Sequence, residues 1–249
     1  MSTGLSPRKY QNEYDKWFGK ELIAYKNNMG FRDISLRKFA EQYCFYVTMT
    51  FSRDRIWKRE SRQSDTTFRT GSIELSNFHF FYNKVRRKLH GKNYYRKSKS
   101  NLFALACLDA EGTKYGSYNT INNKFENIHV HAIVVPPLGY TENFIEYTNS
   151  ADFQELKYDC LDCDDIQIKP VTVPDSKYDT LALQDIFSYT TKLMRQNFVT
   201  CTIEEDYLIY PKLLHRNTEP QASRPKLKAM HWAPNNQKFR KYEGTINTF

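Results

Sequence analysis

The stretch N-I-H-V-H-A-I-V-V, residues 127–135, combines the pattern of a buried β-strand with two histidines. Successive side chains of a strand point to opposite faces of the sheet, so one face of this strand carries only aliphatic residues. The other face begins with His129 and His131, whose Cβ atoms lie about 7 Å apart in an extended chain. Two imidazoles at this spacing can bind one ion, and we predict a metal site there.

A carboxylate commonly completes a metal site that holds two histidines. Residues 101–109, N-L-F-A-L-A-C-L-D, form the preceding predicted strand, which we expect to pair with the histidine strand as a long hairpin. Asp109 ends this strand, and Glu111 follows it with the same parity. Either acid could reach the histidines, and we favour Asp109 because it still lies within the strand.

The elements around this hairpin predict an α+β fold. Strands are indicated by alternating apolar residues, and helices by apolar residues at spacings of three and four. The ranges, in chain order, are a helix at 7–29, a strand at 44–51, a helix at 75–90, the two hairpin strands, a helix at 142–156, a strand at 166–173 and a helix at 181–197.

This order of elements predicts an antiparallel sheet in a split β-α-β arrangement, like that of ferredoxin and RRM folds. We expect two helices on one face, the other face left available, and an additional helix that carries Tyr189. Residues 1–43 are predicted as an N-terminal helical extension and residues 44–198 as the folded domain. Residues 199–249 are polar and rich in proline after Tyr210, which predicts a basic, largely irregular C-terminal extension.

The charge of the chain indicates a polyanionic partner. The formal net charge is +9, and residues 84–99 hold eight basic residues and no acid, with tyrosines among them. A second basic stretch covers residues 212–241. Basic residues interleaved with aromatic rings are typical of surfaces that bind single-stranded nucleic acid. From the first stretch we predict DNA contacts by Arg86, Arg87, Lys88, Lys92, Arg96, Lys97 and Lys99.

The predicted helix at 181–197 carries a candidate nucleophile. Its apolar residues form one stripe, and a second line along the helix is polar and includes Tyr189 and Lys192. A tyrosine hydroxyl is almost entirely protonated at neutral pH, and a nearby ammonium group or metal ion favours its ionised form. Tyr189 is therefore the candidate nucleophile, and Lys192 is its charged neighbour.

Neither export nor membrane insertion is expected from the sequence. The chain has no run of eighteen apolar residues, and its first residues lack the apolar core of a signal peptide. The five cysteines are odd in number and scattered, which fits a reducing compartment. We predict a cytoplasmic protein.

Three motifs, in this order along the chain, resemble those of the HUH endonucleases. They are F-Y-V-T-M-T-F at 45–51, H-V-H at 129–131 and Y-T-T-K at 189–192. Within that superfamily they are most similar to the motifs of rolling-circle replication initiators (Rep proteins) with a single catalytic tyrosine. The chain departs from the family pattern because 17 to 19 residues separate the candidate acids from the histidine strand. No helicase or phosphate-binding glycine loop follows.

The resemblance implies metal-dependent nicking and rejoining of single-stranded DNA through a 5′-phosphotyrosine, which initiates rolling-circle replication of a plasmid or virus. It implies that His129, His131 and one acid hold Mg²⁺ or Mn²⁺, that Tyr189 attacks the phosphate and that Lys192 stabilises charge. The implied partners are single-stranded or hairpin DNA at a replication origin and a host helicase and polymerase, in a bacterial or archaeal cell.

Other functions share parts of this pattern. A single-tyrosine HUH transposase or relaxase would carry the same catalytic residues. A non-catalytic nucleic-acid-binding module would have the same sheet without the metal. A cupin is disfavoured because Val135 and Pro136 stand where a glutamate ligand would be needed, and a two-histidine phosphoesterase because no second His-x-Thr/Ser motif is present.

Overall fold

The computed structural model describes residues 6–52, 54, 56, 72–92, 94, 101–110, 128–173, 187, 190, 191, 194 and 206–211. These residues form an α+β fold around an antiparallel sheet of five strands in the order β4-β1-β3-β2-β5. The strands are β1 (Phe45–Thr50), β2 (Phe103–Asp109), β3 (His129–Val135), β4 (Asp165–Pro170) and β5 (Tyr207–Tyr210).

Five α-helices accompany the sheet within the described residues. They are α1 (Pro7–Asn28), α2 (Leu36–Tyr43), α3 (Ser72–His90), α4 (Thr141–Thr148) and α5 (Ala151–Glu155), and a π-helical turn (Leu156–Cys160) follows α5. The side chain of Ser6 caps α1 by accepting a hydrogen bond from the Lys9 amide at 3.3 Å. Beyond the end of α1, Gly30 has a φ of +88°, a conformation that favours glycine.

The described helices were also compared with the requirements for crossing a membrane. Among the described residues, no helix combines the length and the apolar character that crossing a bilayer requires.

One face of the sheet, the apolar face, forms the larger part of the core. On β3 it carries Val130, Ala132 and Val134, none of which is exposed to solvent. Helices α3, α4 and α5 cover this face with side chains such as Phe78 and Phe144. This packing follows the predicted aliphatic alternation of the histidine strand.

The opposite face, the histidine face, is covered over part of its area, and the expectation that this whole face stays available was wrong. Helix α1 packs on it through aromatic rings, with Phe18 lying 5.5 Å from Tyr207 and Tyr25 lying 5.1 Å from Phe103 between ring centroids. The physical reason lies in β2 and β3, whose apolar residues occupy both faces of the sheet near Phe103. Burial of that half of the histidine face requires a second helical layer.

Most of the predicted elements are present, with changed boundaries. The predicted helix at 142–156 is two helices, α4 and α5, separated at Asn149 and Ser150, and Ser150 caps α5. Strand β5 lies inside the range 199–249 that we expected to be largely irregular, and it pairs with β2 at the edge of the sheet. Four residues are too few for an alternating pattern to reveal a strand. The predicted helix at 181–197 falls mostly outside the described residues.

Candidate metal centre

Three residues of β2 and β3 meet at the end of the sheet where the predicted hairpin connection begins. Asp109 is the last residue of β2 and lies directly opposite His129, the first residue of β3. His131 lies two positions further along β3, so both imidazoles and the carboxylate project from the histidine face. The sheet register alone therefore brings these side chains together.

The ligand atoms of the three residues have the spacing of a metal site. Asp109 Oδ2 lies 3.6 Å from His129 Nε2 and 3.4 Å from His131 Nε2, and the two Nε2 atoms are 3.1 Å apart. A circle through these three atoms has a radius of about 2.0 Å, which is close to the bond lengths of about 2.0 to 2.2 Å that Zn²⁺ makes with histidine and carboxylate ligands. Asp109, His129 and His131 can therefore hold one metal ion.

Burial of the carboxylate favours a charged partner. Asp109 is only 3% exposed, and a buried carboxylate is costly unless it is paired or binds a metal. Its Oδ1 accepts a hydrogen bond from the Ala110 amide at 2.9 Å, which leaves Oδ2 directed at the two imidazoles. His131 is also buried, whereas the His129 side chain is 22% exposed. Access from solvent is therefore on the His129 side.

Strand β1 pairs with β3 on the edge away from β2, and it supplies further neighbours of His131. Thr48 lies opposite His131 in the sheet, and its Oγ1 is 3.2 Å from His131 Nδ1. The ring of Tyr46 lies 5.4 Å from the imidazole, centroid to centroid. Thr48 belongs to the motif at 45–51, but sequence reasoning gave it no role, because the contact depends on the pairing of β1 with β3.

A thiol lies next to the triad without joining it. Cys107 is directly opposite His131 on β2 and is fully buried. Burial, with smaller contributions from the carboxylates of Asp206, Asp15 and Asp109, raises the pKa of the Cys107 thiol well above its ordinary value. Among the described residues, the ligand atoms that lie within 4.8 Å of one another are those of Asp109, His129 and His131, and Cys107 is not in this group.

Further along the histidine face, α1 contacts the part of the chain that carries the predicted tyrosine motif. Thr191 Oγ1 donates a hydrogen bond to Asp15 Oδ1 at 2.5 Å, and Gln11 Nε2 donates to Thr191 Oγ1 at 3.1 Å. Burial raises the pKa of the Asp15 carboxyl to about 6, and the hydrogen bond from Thr191 acts in the opposite direction. Helix α1 therefore holds Thr191 against the sheet.

Of the residues predicted for the site, the structure brings together Asp109, His129 and His131. Tyr189, Lys192 and Glu111 lie outside the described residues. Among the predicted DNA contacts, Arg96, Lys97 and Lys99 also lie outside them.

The predicted DNA contacts that are described all belong to α3 or follow it, and α3 packs on the apolar face, across the sheet from the triad. The Arg86 guanidinium donates to Asn101 Oδ1 at 2.8 Å, and Lys88 pairs with Asp152 at 2.6 Å. Arg87 and Lys92 are exposed. Arg86 is thus partly buried with a partner in the protein, whereas Lys88, although paired, lies at the surface with Arg87 and Lys92.

Comparisons of the chain with known protein families, with curated proteins and with solved structures find no match. The resemblance to HUH endonucleases therefore rests on the three sequence motifs.

Proposed function

We propose that this protein is a metal-dependent endonuclease of the HUH type, which nicks and rejoins single-stranded DNA through a tyrosine. The observation that carries the proposal is the cluster of Asp109, His129 and His131, with ligand atoms 3.1 to 3.6 Å apart on one face of a central strand pair. The order of the three motifs along the chain adds the tyrosine. The strand order β4-β1-β3-β2, with helices between β1 and β2 and between β3 and β4, supports a split β-α-β arrangement.

The proposed ion is Mg²⁺ or Mn²⁺, as the resemblance implies. The carboxylate of Asp109 and the oxygens of a substrate phosphate suit these ions, whereas two imidazoles suit Zn²⁺ as well. When bound, such an ion supplies Lewis-acid polarisation of a phosphate oxygen. The role of Asp109, His129 and His131 is to hold it at the accessible end of the histidine face.

Tyr189 is the proposed nucleophile. Its phenolic oxygen forms a bond to the scissile phosphorus while the bond from phosphorus to the 3′ oxygen breaks, which leaves a 5′-phosphotyrosine and a free 3′-hydroxyl. The phenolic proton balances the proton gained by the 3′ oxygen. Lys192 stabilises negative charge during the transfer. Because the phosphotyrosine retains the phosphodiester energy, the reverse reaction rejoins the strands without ATP.

The surface beside the triad suits an extended strand of nucleic acid. Towards β4, the histidine face carries the exposed side chains of Gln167 and Lys169. These groups can donate hydrogen bonds to phosphate oxygens. We further propose initiation of rolling-circle replication, with origin DNA and a host helicase and polymerase as partners in the cytoplasm.

Formation of the covalent adduct tests the proposal. The full chain is incubated with Mn²⁺ and single-stranded DNA that carries a label downstream of the nick, and a protease-sensitive shifted band is expected. Tyr189→Phe should abolish the band, whereas Tyr158→Phe, a change at an exposed tyrosine of the π-helical turn, should leave it intact. An adduct that persists in Tyr189→Phe would reject Tyr189 as the nucleophile. Absence of any adduct or nick on origin DNA would reject the activity.

A further inference from the structure

The hydrogen bond between Thr48 and His131 connects the candidate metal centre to the neighbouring strand. Thr48 is directly opposite His131 on β1, and its Oγ1 lies 3.2 Å from His131 Nδ1. The other ring nitrogen, Nε2, faces Asp109 Oδ2 at 3.4 Å and His129 Nε2 at 3.1 Å. Each nitrogen of this buried imidazole therefore has a separate environment, the hydroxyl on one side and the metal ligands on the other.

The position of the imidazole proton decides whether His131 can bind a metal. A neutral histidine carries one N–H, and a nitrogen that binds a metal must offer its lone pair. If Nδ1–H donates to Thr48 Oγ1, then the lone pair of Nε2 points at the other two ligand atoms. The alternative tautomer would place a proton on Nε2, in the position that the ion must occupy.

We propose that Thr48 is a positioning residue of the metal centre, which accepts a hydrogen bond from His131 Nδ1–H and thereby fixes both the tautomer and the orientation of the ring. The inference rests on the proposed metal site and extends it to a residue outside the triad. Partners of this kind on the far side of a ligating histidine typically change metal affinity about 10- to 100-fold when they are removed.

Thr50 offers a matched control on the same strand. It is also a threonine of β1, it projects from the same face, and it lies opposite the other histidine, His129. Unlike Thr48, it makes no side-chain hydrogen bond to either histidine among the described residues. Replacing each threonine by valine removes one hydroxyl and keeps the shape of the side chain, but only Thr48→Val removes a hydrogen-bond partner of His131.

The affinity experiment titrates Mn²⁺ into the full chain and into three variants. Thr48→Val should bind Mn²⁺ about 10- to 100-fold more weakly than the unmodified protein. Thr48→Ser, which keeps the hydroxyl, should restore most of the affinity, and Thr50→Val should change it less than about threefold. Equal affinity in Thr48→Val and the unmodified protein would overturn the role of Thr48 while leaving the metal site intact.

A second measurement separates this inference from the metal site itself. In metal-free protein with ¹⁵N-labelled histidine, Thr48→Val should shift the resonance of His131 Nδ1, because that nitrogen loses its hydrogen-bond partner, and Thr50→Val should leave the resonance unchanged. If the unmodified protein fails to bind Mn²⁺, the proposed metal site is wrong, and the nitrogen shifts still decide the role of Thr48. Identical shifts in Thr48→Val and the unmodified protein would overturn it.

Discussion

The two faces of β3 show how one strand serves a core and a site at once. On the apolar face, Val130, Ala132 and Val134 are completely buried under helices and belong to the larger hydrophobic cluster. On the histidine face, His129 and His131 lie beside polar neighbours at one end of the same strand. Alternate residues of β3 point to opposite faces of the sheet. A substitution on one face therefore need not change the packing on the other face.

The difference also separates stability from function. Burial of apolar area drives folding, at roughly 25 cal/mol per Å², and this term is supplied by the apolar face and by the aromatic contacts of α1. The triad contributes little of this kind, because a buried carboxylate is costly unless it is paired. We therefore expect changes on the apolar face to alter the free energy of unfolding, and changes at the triad to alter ligand binding.

The largest expected effect is on the apolar face. Phe78 of α3 is fully buried in its core, so Phe78→Ala should lower the free energy of unfolding by about 3 to 5 kcal/mol through loss of contacts and creation of a cavity. In metal-free protein, His129→Ala should lower it by less than about 1 kcal/mol, because that side chain is partly exposed. Urea denaturation followed by circular dichroism measures both free energies of unfolding. Comparable decreases in the two variants would contradict the claim that the apolar face, and not the triad, determines stability.

A smaller effect is expected at Asp15, where α1 covers the histidine face. The pKa of this carboxyl is raised from 3.8 to about 6 in the folded protein, so the folded state binds its proton more tightly than the unfolded state. The contribution of Asp15 to stability is therefore complete below pH 4 and is lost as the pH rises through 6. The loss amounts to about 3 kcal/mol for a shift of this size.

Asp15→Asn tests this linkage, since asparagine keeps an oxygen for the hydrogen bond from Thr191. The free energy of unfolding of the variant, relative to that of the unmodified protein, should increase between pH 4 and pH 7. Denaturant titrations at several pH values measure the difference. A difference that stays constant with pH would show that Asp15 has an ordinary pKa in the folded state.

The smallest effect distinguishes two adjacent arginines of α3. Arg86 lies between the rings of Tyr82 and Tyr94 and donates to Asn101, so Arg86→Ala should reduce the free energy of unfolding by about 1.5 to 3 kcal/mol. Arg87 is exposed, and Arg87→Ala should change it by less than about 0.5 kcal/mol. Thermal melts of both variants provide the test, and equal effects would contradict the structural role assigned to Arg86.

Local patterns in the sequence predicted much of this fold. Alternation indicated β1, β2 and β3, the apolar spacing indicated α3, and parity alone placed His129 and His131 on one face. The choice of Asp109 as the favoured acid followed from the same hairpin geometry. These features depend on residues close together in sequence or on the pairing of consecutive strands, which is why periodicity reveals them.

Features that depend on distant parts of the chain were not predictable in this way. The hydrogen bond between Asp15 and Thr191 joins residues 176 positions apart, and neither residue has a local signal for it. The contact of Thr48 with His131 requires that β1 pair with β3 in one particular register. The cover that α1 gives to the histidine face likewise follows from tertiary packing, which the helical pattern of α1 does not specify.

The central claim is that Asp109, His129 and His131 bind one divalent ion, and the most direct test is to locate Mn²⁺ by anomalous scattering in crystals of the full chain. We predict a single strong peak within bonding distance of Asp109 Oδ2 and of Nε2 of both histidines. The peak should be absent from crystals of Asp109→Asn and His131→Ala grown with the same metal. A saturating concentration of Mn²⁺ that leaves the triad empty, or an ion bound elsewhere with full occupancy, would contradict the account.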